Sequence, residues 1–202
     1  MTTAQPSSPV ATRRRGLALR EILAVVVLGV VFGFLYYALD QGWSALSVAM
    51  GPLGDLAQNI LIGGWFVVAP LALFVVRRPG VGVVAELIAS VVEVVFLGSP
   101  VGPLLFLTAL IQGVGSEVAF AATRYRRYSL PVFLASGVTT ALFSFVYATI
   151  RFGWWGQSLF WVRLGLHVAS GLVLCGVLAW VVARALAKTG VLRDLPAGQA
   201  GA

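Results

Sequence analysis

Cysteine, histidine and charged side chains are all scarce in this sequence. One cysteine, Cys175, and one histidine, His167, occur among 202 residues, and Asp, Glu, Lys and Arg together make up 10%. A single cysteine excludes an internal disulfide framework and a cysteine-rich metal site, and a lone histidine argues against a metal centre. Soluble domains carry about 25% charged residues. So little charge cannot cover a water-exposed surface, which excludes a soluble enzyme, a collagen-like fibre and a disordered chain.

Apolar side chains dominate instead, at 59% of the residues, and the mean hydropathy is +0.96. Charges, prolines and glycine clusters divide the chain into six apolar stretches, at about Glu21–Leu39, Leu56–Val76, Val81–Leu97, Pro103–Thr123, Leu130–Ile150 and Leu159–Ala187. About 20 helical residues cross a hydrocarbon core of about 30 Å. Lipid offers no partners for backbone amides, and residues 22–31 do not alternate as barrel strands do. We therefore predict an all-α membrane protein with six transmembrane helices.

The basic residues predict how these helices are oriented. Twelve of the fourteen Arg and Lys residues lie on one side of a six-span arrangement, and only Arg151 and Arg163 lie on the other. The positive-inside rule then places both termini in the cytoplasm of a multi-pass cell-membrane protein. Basic clusters at such positions favour anionic lipid over nucleic acid. We expect residues 1–18 to form a disordered cytoplasmic tail, residues 19–190 the transmembrane domain, and residues 191–202 a flexible C-terminal tail.

Polar side chains recur at helical spacing inside four successive spans. In the third span, Glu86, Ser90 and Glu93 share one face. Comparable stripes lie in the fourth, fifth and sixth spans: Thr108, Gln112 and Ser116; Ser136, Thr140, Ser144 and Tyr147; and Arg163, His167 and Ser170. An ionised side chain at the bilayer centre costs about 2.5–3.5 kcal/mol, so these stripes predict a polar interior cavity.

The depth of each polar residue in its span separates two interpretations. Glu93 lies near the outer end of the third span and Gln112 near mid-membrane, which suits a ligand that arrives from outside. Glu86 and Glu117 lie deeper, where helix packing or a proton-carrying role is the alternative.

Aromatic residues gather in the first and third predicted outer loops. Tyr36 and Trp43 occur near the first loop, and Trp155 and Trp161 in the third. These rings suit either an interfacial aromatic belt or stacking on a flat, nitrogen-rich or cationic ligand. Gly42, Gly51, Pro52 and Gly54 suit a shaped lid over a cavity.

Two further features have local explanations. His167 is interpreted as a neutral hydrogen-bonding residue. Gly29 and Gly33 form a GxxxG motif, which indicates a close helix contact within the chain or with a partner.

In the order and spacing of its short motifs, the chain resembles the S components of energy-coupling factor (ECF) transporters, and within them the YkoE family. The resemblance covers most of residues 19–190 and rests on Leu19-Arg20-Glu21-Ile22, Gly51-Pro52-Leu53, Arg77-Arg78-Pro79-Gly80, Ala85-Glu86-Leu87, Val92-Glu93-Val94, Gln112-Gly113-Val114-Gly115-Ser116-Glu117, Arg124-Tyr125-Arg126-Arg127 and Leu130-Pro131. This family is linked to thiamine and its hydroxymethylpyrimidine precursor.

The resemblance implies a six-helix S-component bundle that captures a vitamin from outside. The partners it implies are a transmembrane coupling subunit and two ATP-binding-cassette ATPases on separate chains. By the same analogy, Ala24, Gly29 and Gly33 on the first helix would dock on the coupling subunit. The chain carries no motif for ATP hydrolysis, and we expect no enzymatic activity, no cofactor and no metal.

Ligand chemistry links the resemblance to the polar stripes. An aminopyrimidine presents an amine donor beside a ring-nitrogen acceptor, which a carboxylate and an amide can bind. We hypothesise that Glu93 and Gln112 make these contacts, with Asn59 as a third polar residue. The further substrate-binding candidates are Trp43, Tyr36, Tyr147, Trp155, Trp161, His167, Glu117 and Glu86.

Three alternatives remain at this point. The chain is an S component for another vitamin, or it is a small channel or proton-coupled secondary transporter that uses Glu86, Glu93 and Glu117 as a relay. A membrane scaffold without a ligand is the third, which the polar stripes disfavour.

Overall fold

The computed structural model describes residues 16–199, and each regular element in that range is helical. The α-helices are α1 Leu19–Ala49, α2 Leu56–Leu61, α3 Val68–Val76, α4 Val81–Val91, α5 Leu104–Ala122, α6 Leu130–Phe152, α7 Phe160–Ser170, α8 Ala179–Lys188 and α9 Pro196–Gln199. Short 3-10 segments cover Gly51–Leu53 and Ile62–Phe66, and π-helical segments cover Val92–Phe96 and Gly171–Leu178. Residues 1–15 of the predicted N-terminal tail lie outside the described residues.

The helices confirm an all-α membrane fold. Five continuous helical stretches are long and apolar enough to cross a bilayer: Leu19–Ala49, Leu56–Val76, Leu104–Ala122, Leu130–Phe152 and Phe160–Lys188. The third predicted span is shorter. It consists of the 11 residues of α4 and the five of the π-helical segment that continues it. At about 1.5 Å per residue it is about 24 Å long, below the full hydrocarbon thickness.

The α3 helix lies at the centre of the bundle and α1 at its edge. All nine residues of α3 are buried, as expected for a helix that is apolar on every face. The α1 helix buries a single stripe, made of Glu21, Val25, Gly29, Gly33, Tyr36 and Asp40. Its other faces expose apolar side chains such as Val27 and Phe34, which suits contact with lipid.

The α1 helix extends ten residues farther than predicted. It ends at Ala49 instead of Leu39, so Asp40 and Trp43 are helical residues. Gly42 does not end the helix, which continues through it to Ala49. The predicted glycine-rich lid is therefore reduced to the turn between Met50 and Asp55.

The GxxxG motif of α1 is used inside the chain. A Cβ atom on Gly33 would lie 2.6 Å from Val92 Cβ, and one on Gly29 would lie 2.6 Å from Ile88 Cγ2. Both glycines are buried, and Ala24 packs against the main core. The three positions predicted to dock on a coupling subunit thus contact the chain's own core, and the two glycines let α1 approach α4 closely.

The C-terminal residues make contacts with the bundle. The segment 191–199, expected to be part of a flexible tail, folds back and carries α9 against α3. Leu192 and Ala197 are buried in the main core. Burial of these two apolar side chains holds the segment in place.

The bundle end that carries residues 50–55, 97–103 and 153–159 is called the distal end below. There, buried Arg163 on α7 forms an ion pair with Asp55 and a hydrogen bond to Gln157. Its guanidinium carbon also lies 5.0 Å from the centre of the Trp154 ring. Arg163 thereby joins the turn before α2 to the turn after α6.

We expect Gly33→Ala to lower the thermal stability of the purified chain. The added methyl would meet Val92 and the Ala89 carbonyl at 2.6 and 2.8 Å, and such overpacking costs about 1–3 kcal/mol. Gly165→Ala is the matched control, since its Cβ has nothing within 4 Å. If Gly33→Ala keeps the wild-type melting temperature in detergent but no longer assembles with a coupling subunit, the assignment of Gly33 to the contact between α1 and α4 is contradicted.

The Arg163 cluster makes a second stability prediction. Asp55→Asn leaves the buried guanidinium without a counter-charge, whereas Arg163→Met removes the buried charge altogether. Asp55→Asn should therefore destabilise the chain more, by about 1 kcal/mol because Asp55 is largely exposed and solvent screens the pair. Thermal unfolding of the two variants checks the order, and the reverse order would mean that the contacts to Gln157 and Trp154 dominate.

Candidate functional site

A cavity of about 390 Å³ opens toward the distal end of the bundle. This volume is in the range of small-ligand sites, which occupy about 300–1,000 Å³. Its lining residues are Tyr36, Asp40, Trp43, Ser44, Gln58, Ile62, Trp65, Glu86, Ser90, Glu93, Pro100, Val101, Leu105, Thr108, Ala109, Gln112, Arg151 and Phe152. The walls therefore come from α1, α2 and the 3-10 segment after it, α4 and its π-helical continuation, α5 and α6, which makes the cavity a feature of the whole bundle.

Helix direction gives the depth of the lining residues. The α1 and α4 helices run toward the distal end, and α5 runs away from it. On α1, Tyr36 is the inner residue and Ser44 lies nearer the mouth. On α4 and its π-helical continuation, Glu86 is the inner residue and Glu93 lies nearer the mouth. On α5, Gln112 is the inner residue and Leu105 lies nearer the mouth. Each pair is seven or eight residues apart, which corresponds to about 10–12 Å along a helix axis.

Two glutamates in the cavity have carboxylate oxygens that the protein leaves unpaired. Glu86 Oε1 and Glu93 Oε2 are buried and form no hydrogen bond with the described residues. The Glu86 carboxylate interacts with the Ala69 backbone amide and the Tyr36 hydroxyl, which in turn accepts a bond from Val68 N at 3.0 Å. Buried polar atoms are normally paired, and because these two free acceptors also line the cavity, they are available to donors of a ligand.

The position of Glu93 depends on the π-helical segment Val92–Phe96. This wider turn begins one residue before Glu93, and it closes with Leu97 N donating to Val92 O at 3.1 Å. Single π-helical turns change the direction of side chains and are frequent at functional sites. The segment places Glu93 on the cavity wall together with Ser90 and Glu86.

Asp40 is the third acid of the cavity and is held by neighbouring side chains. Ser99 Oγ donates to Asp40 Oδ2 at 3.1 Å, and the Trp65 side chain interacts with this carboxylate. Trp65 itself is buried and lines the cavity. Asp40 therefore fixes one aromatic wall.

Five of the predicted substrate-binding residues line this cavity: Tyr36, Trp43, Glu86, Glu93 and Gln112. The two acids and the amide lie on α4, its π-helical continuation and α5, while the two rings lie on α1. The arrangement offers acceptors, an amide and aromatic faces to a single ligand.

Asn59 and His167 lie instead in a separate buried network. Asn59 Oδ1 contacts His167 Nδ1 at 2.9 Å, and Ser144 Oγ contacts His167 Nε2 at 3.4 Å. An amide oxygen only accepts, so His167 donates from Nδ1 and accepts at Nε2. The network links α2, α6 and α7, and these residues do not line the cavity.

Glu117 caps a helix at the other end of the bundle. It accepts hydrogen bonds from the backbone amides of Gly80, Gly82 and Val83, at 2.8, 3.0 and 3.4 Å. The Tyr125 hydroxyl also donates to it at 3.0 Å, and burial, with the Glu117 carboxylate beside it, raises the pKa of Tyr125 to about 12. The Glu117 carboxylate thus satisfies free backbone amides at the N-terminus of α4. Glu117 does not line the cavity that contains Glu86 and Glu93.

The remaining predicted aromatics do not line the cavity. Trp155 and Trp161 are 67% and 75% exposed and pack on either side of Phe160. Tyr147 is half-buried on α6 and is not a lining residue. For the two tryptophans, the geometry suits an interfacial aromatic belt.

Several lining residues were not among the predicted substrate-binding residues. The polar and charged ones among them are Asp40, Ser44, Gln58, Ser90, Thr108 and Arg151, and Trp65 adds a ring. Asp40 and Ser44 continue the helical spacing of Tyr36, a signal that becomes visible once α1 is extended beyond Leu39.

Comparisons with known proteins agree with this architecture. The family model described as ABC-type cobalt transport system, permease component, matches residues 20–143. A Bacillus subtilis (strain 168) protein, described as an HMP/thiamine permease protein and named YkoE, is 34% identical over 182 residues, covering 89% of each chain. A solved structure described as an S-component of an ECF transporter superimposes with a TM-score of 0.84 at 33% identity, covering 91% of this chain and 92% of that one.

The relatives are transport proteins and not enzymes, and both likenesses extend over nearly the whole chain. The fold, the apolar helices and the matches at more than 30% identity agree with one another. The chain belongs to the YkoE-like S components of ECF transporters, a family of multi-pass membrane proteins.

Proposed function

We propose that this chain is the substrate-capture subunit of an ECF vitamin importer and binds thiamine or its hydroxymethylpyrimidine precursor in the distal cavity. The single observation that carries the proposal is the pair of buried, unpaired carboxylate oxygens on Glu86 and Glu93 in a cavity that also has aromatic walls. A ligand with N–H donors on a flat ring satisfies both features.

The ligand class is supported by the chemistry of the lining. Glu93 accepts from an exocyclic amine, and the Gln112 amide donates to a ring nitrogen. Tyr36, Trp43 and Trp65 provide ring faces, and the acids also favour a positively charged ring. The name of the Bacillus subtilis relative refers to the same two compounds.

The direction of uptake is supported by charge. The turns at Arg77–Arg78 and Arg124–Arg127 lie opposite the distal end, where the positive-inside rule places the cytoplasm. In this orientation both termini are cytoplasmic and the cavity opens outward. A membrane-embedded coupling subunit and two ATPases on separate chains then energise release of the ligand inward.

A vitamin panel tests the proposal. Trp43 and Trp65 line the cavity, so tryptophan fluorescence of the purified chain in detergent should report a bound heterocycle. We expect saturable quenching by thiamine and hydroxymethylpyrimidine, and none by riboflavin, biotin or cobalt chloride. Binding of one of the last three alone would overturn the ligand assignment. Proton-gradient-driven thiamine accumulation by the chain alone in vesicles would indicate a secondary transporter instead.

Glu93→Gln should weaken thiamine binding about tenfold or more, because the amide places N–H donors where the unpaired carboxyl oxygen is available to accept from the ligand. Its melting temperature should not fall, since a buried carboxylate is removed. Glu117→Gln is the control, because Glu117 holds the α4 N-terminus; it should lower the melting temperature and leave affinity unchanged. Calorimetric titration and thermal unfolding measure both quantities, and wild-type affinity in Glu93→Gln would exclude this residue from the site.

A further inference from the structure

The charged residues that line the cavity are unequally distributed with depth. Glu86 lies at the inner end of the cavity and Asp40 and Glu93 lie nearer the mouth, whereas Arg151, in the last turn of α6, is the cationic residue among those lining the cavity. An arginine above three acids opposes the approach of a ligand that is only cationic, since like charges repel.

Arg151 differs from the other arginine near the distal end. Arg163 is buried and paired with Asp55. Arg151 is exposed. The ion pairs recorded within residues 16–199 involve Arg78 and Arg163, and Arg151 is in neither of them. Its guanidinium carbon lies 5.0 Å from the centre of the Phe152 ring, which also lines the mouth. This contact keeps the guanidinium beside a ring that lines the cavity and leaves its N–H donors available.

We propose that Arg151 forms an anion subsite at the mouth of the cavity, so that the chain also binds a phosphate monoester of its heterocyclic ligand. The inference rests on the proposed function, because the ring must occupy the acidic interior. A planar guanidinium matches two phosphate oxygens at once, which favours a phosphoryl group at this position. The ligand then lies with its nitrogen-rich ring against Glu86 and Glu93 and its anionic end beside Arg151.

The test compares thiamine with thiamine monophosphate by calorimetric titration on the detergent-purified chain. We expect the wild type to bind the monophosphate at least as tightly as thiamine. Arg151→Gln should weaken monophosphate binding about tenfold or more relative to thiamine binding, so that the ratio of the two affinities falls by that factor. Arg151→Lys should recover part of the monophosphate affinity because it restores the charge without the two-pronged geometry.

Arg127→Gln is the matched control, because it removes an exposed charge from the opposite end of the bundle. It should leave the ratio of the two affinities unchanged, and thermal unfolding should show wild-type stability for both glutamine variants. An unchanged ratio in Arg151→Gln, with thiamine still bound, overturns the anion subsite and leaves the proposed function standing. Failure of the wild type to bind either compound overturns both.

Discussion

Carboxylates held at membrane depth are the constraint on which the rest of this structure depends. An ionised side chain at the bilayer centre is costly, so an apolar bundle retains Glu86 and Glu93 only if it shields them from lipid. The bundle does so by placing both acids on an inward face of α4 and its continuation, beside Asp40 on α1. The unpaired oxygens that remain make the chamber receptive to a donor.

Polar residues inside the bundle fall into two groups: those whose hydrogen bonds the protein completes, and those that keep a free acceptor. Asn59, His167 and Ser144 complete one another's hydrogen bonds and join three helices. Glu117 completes the open amides at the start of α4. These residues are satisfied by the protein, whereas Glu86 and Glu93 retain free acceptors. Because Glu86 and Glu93 also line the cavity, their free acceptors are the ones that a ligand can reach.

The sequence predicted the helices and the two principal acids because hydropathy and helical spacing determine both. It could not separate Glu117 from Glu86, since equal depth in a span does not reveal which amides lie nearby. It also stopped α1 at Leu39, because Asp40 and Gly42 resemble the end of a span. In the structure Asp40 faces inward and bonds Ser99, so the charge does not end the helix. The partners of Glu117 and Asp40 come from distant segments of the chain, and local sequence patterns do not reveal such contacts.

The stripe that α1 turns toward the bundle explains where the cavity begins. Gly29 and Gly33 carry no side chains, so α1 lies directly against α4 and leaves no space between them. One turn farther along the same stripe comes Tyr36, followed by Asp40, and here the inward side chains become large and polar. Larger side chains separate two helices that smaller ones allow to touch. The same face of α1 therefore packs directly against α4 at one end of the bundle. Toward the other end it lines the cavity, and Glu93 lies on another wall of that cavity.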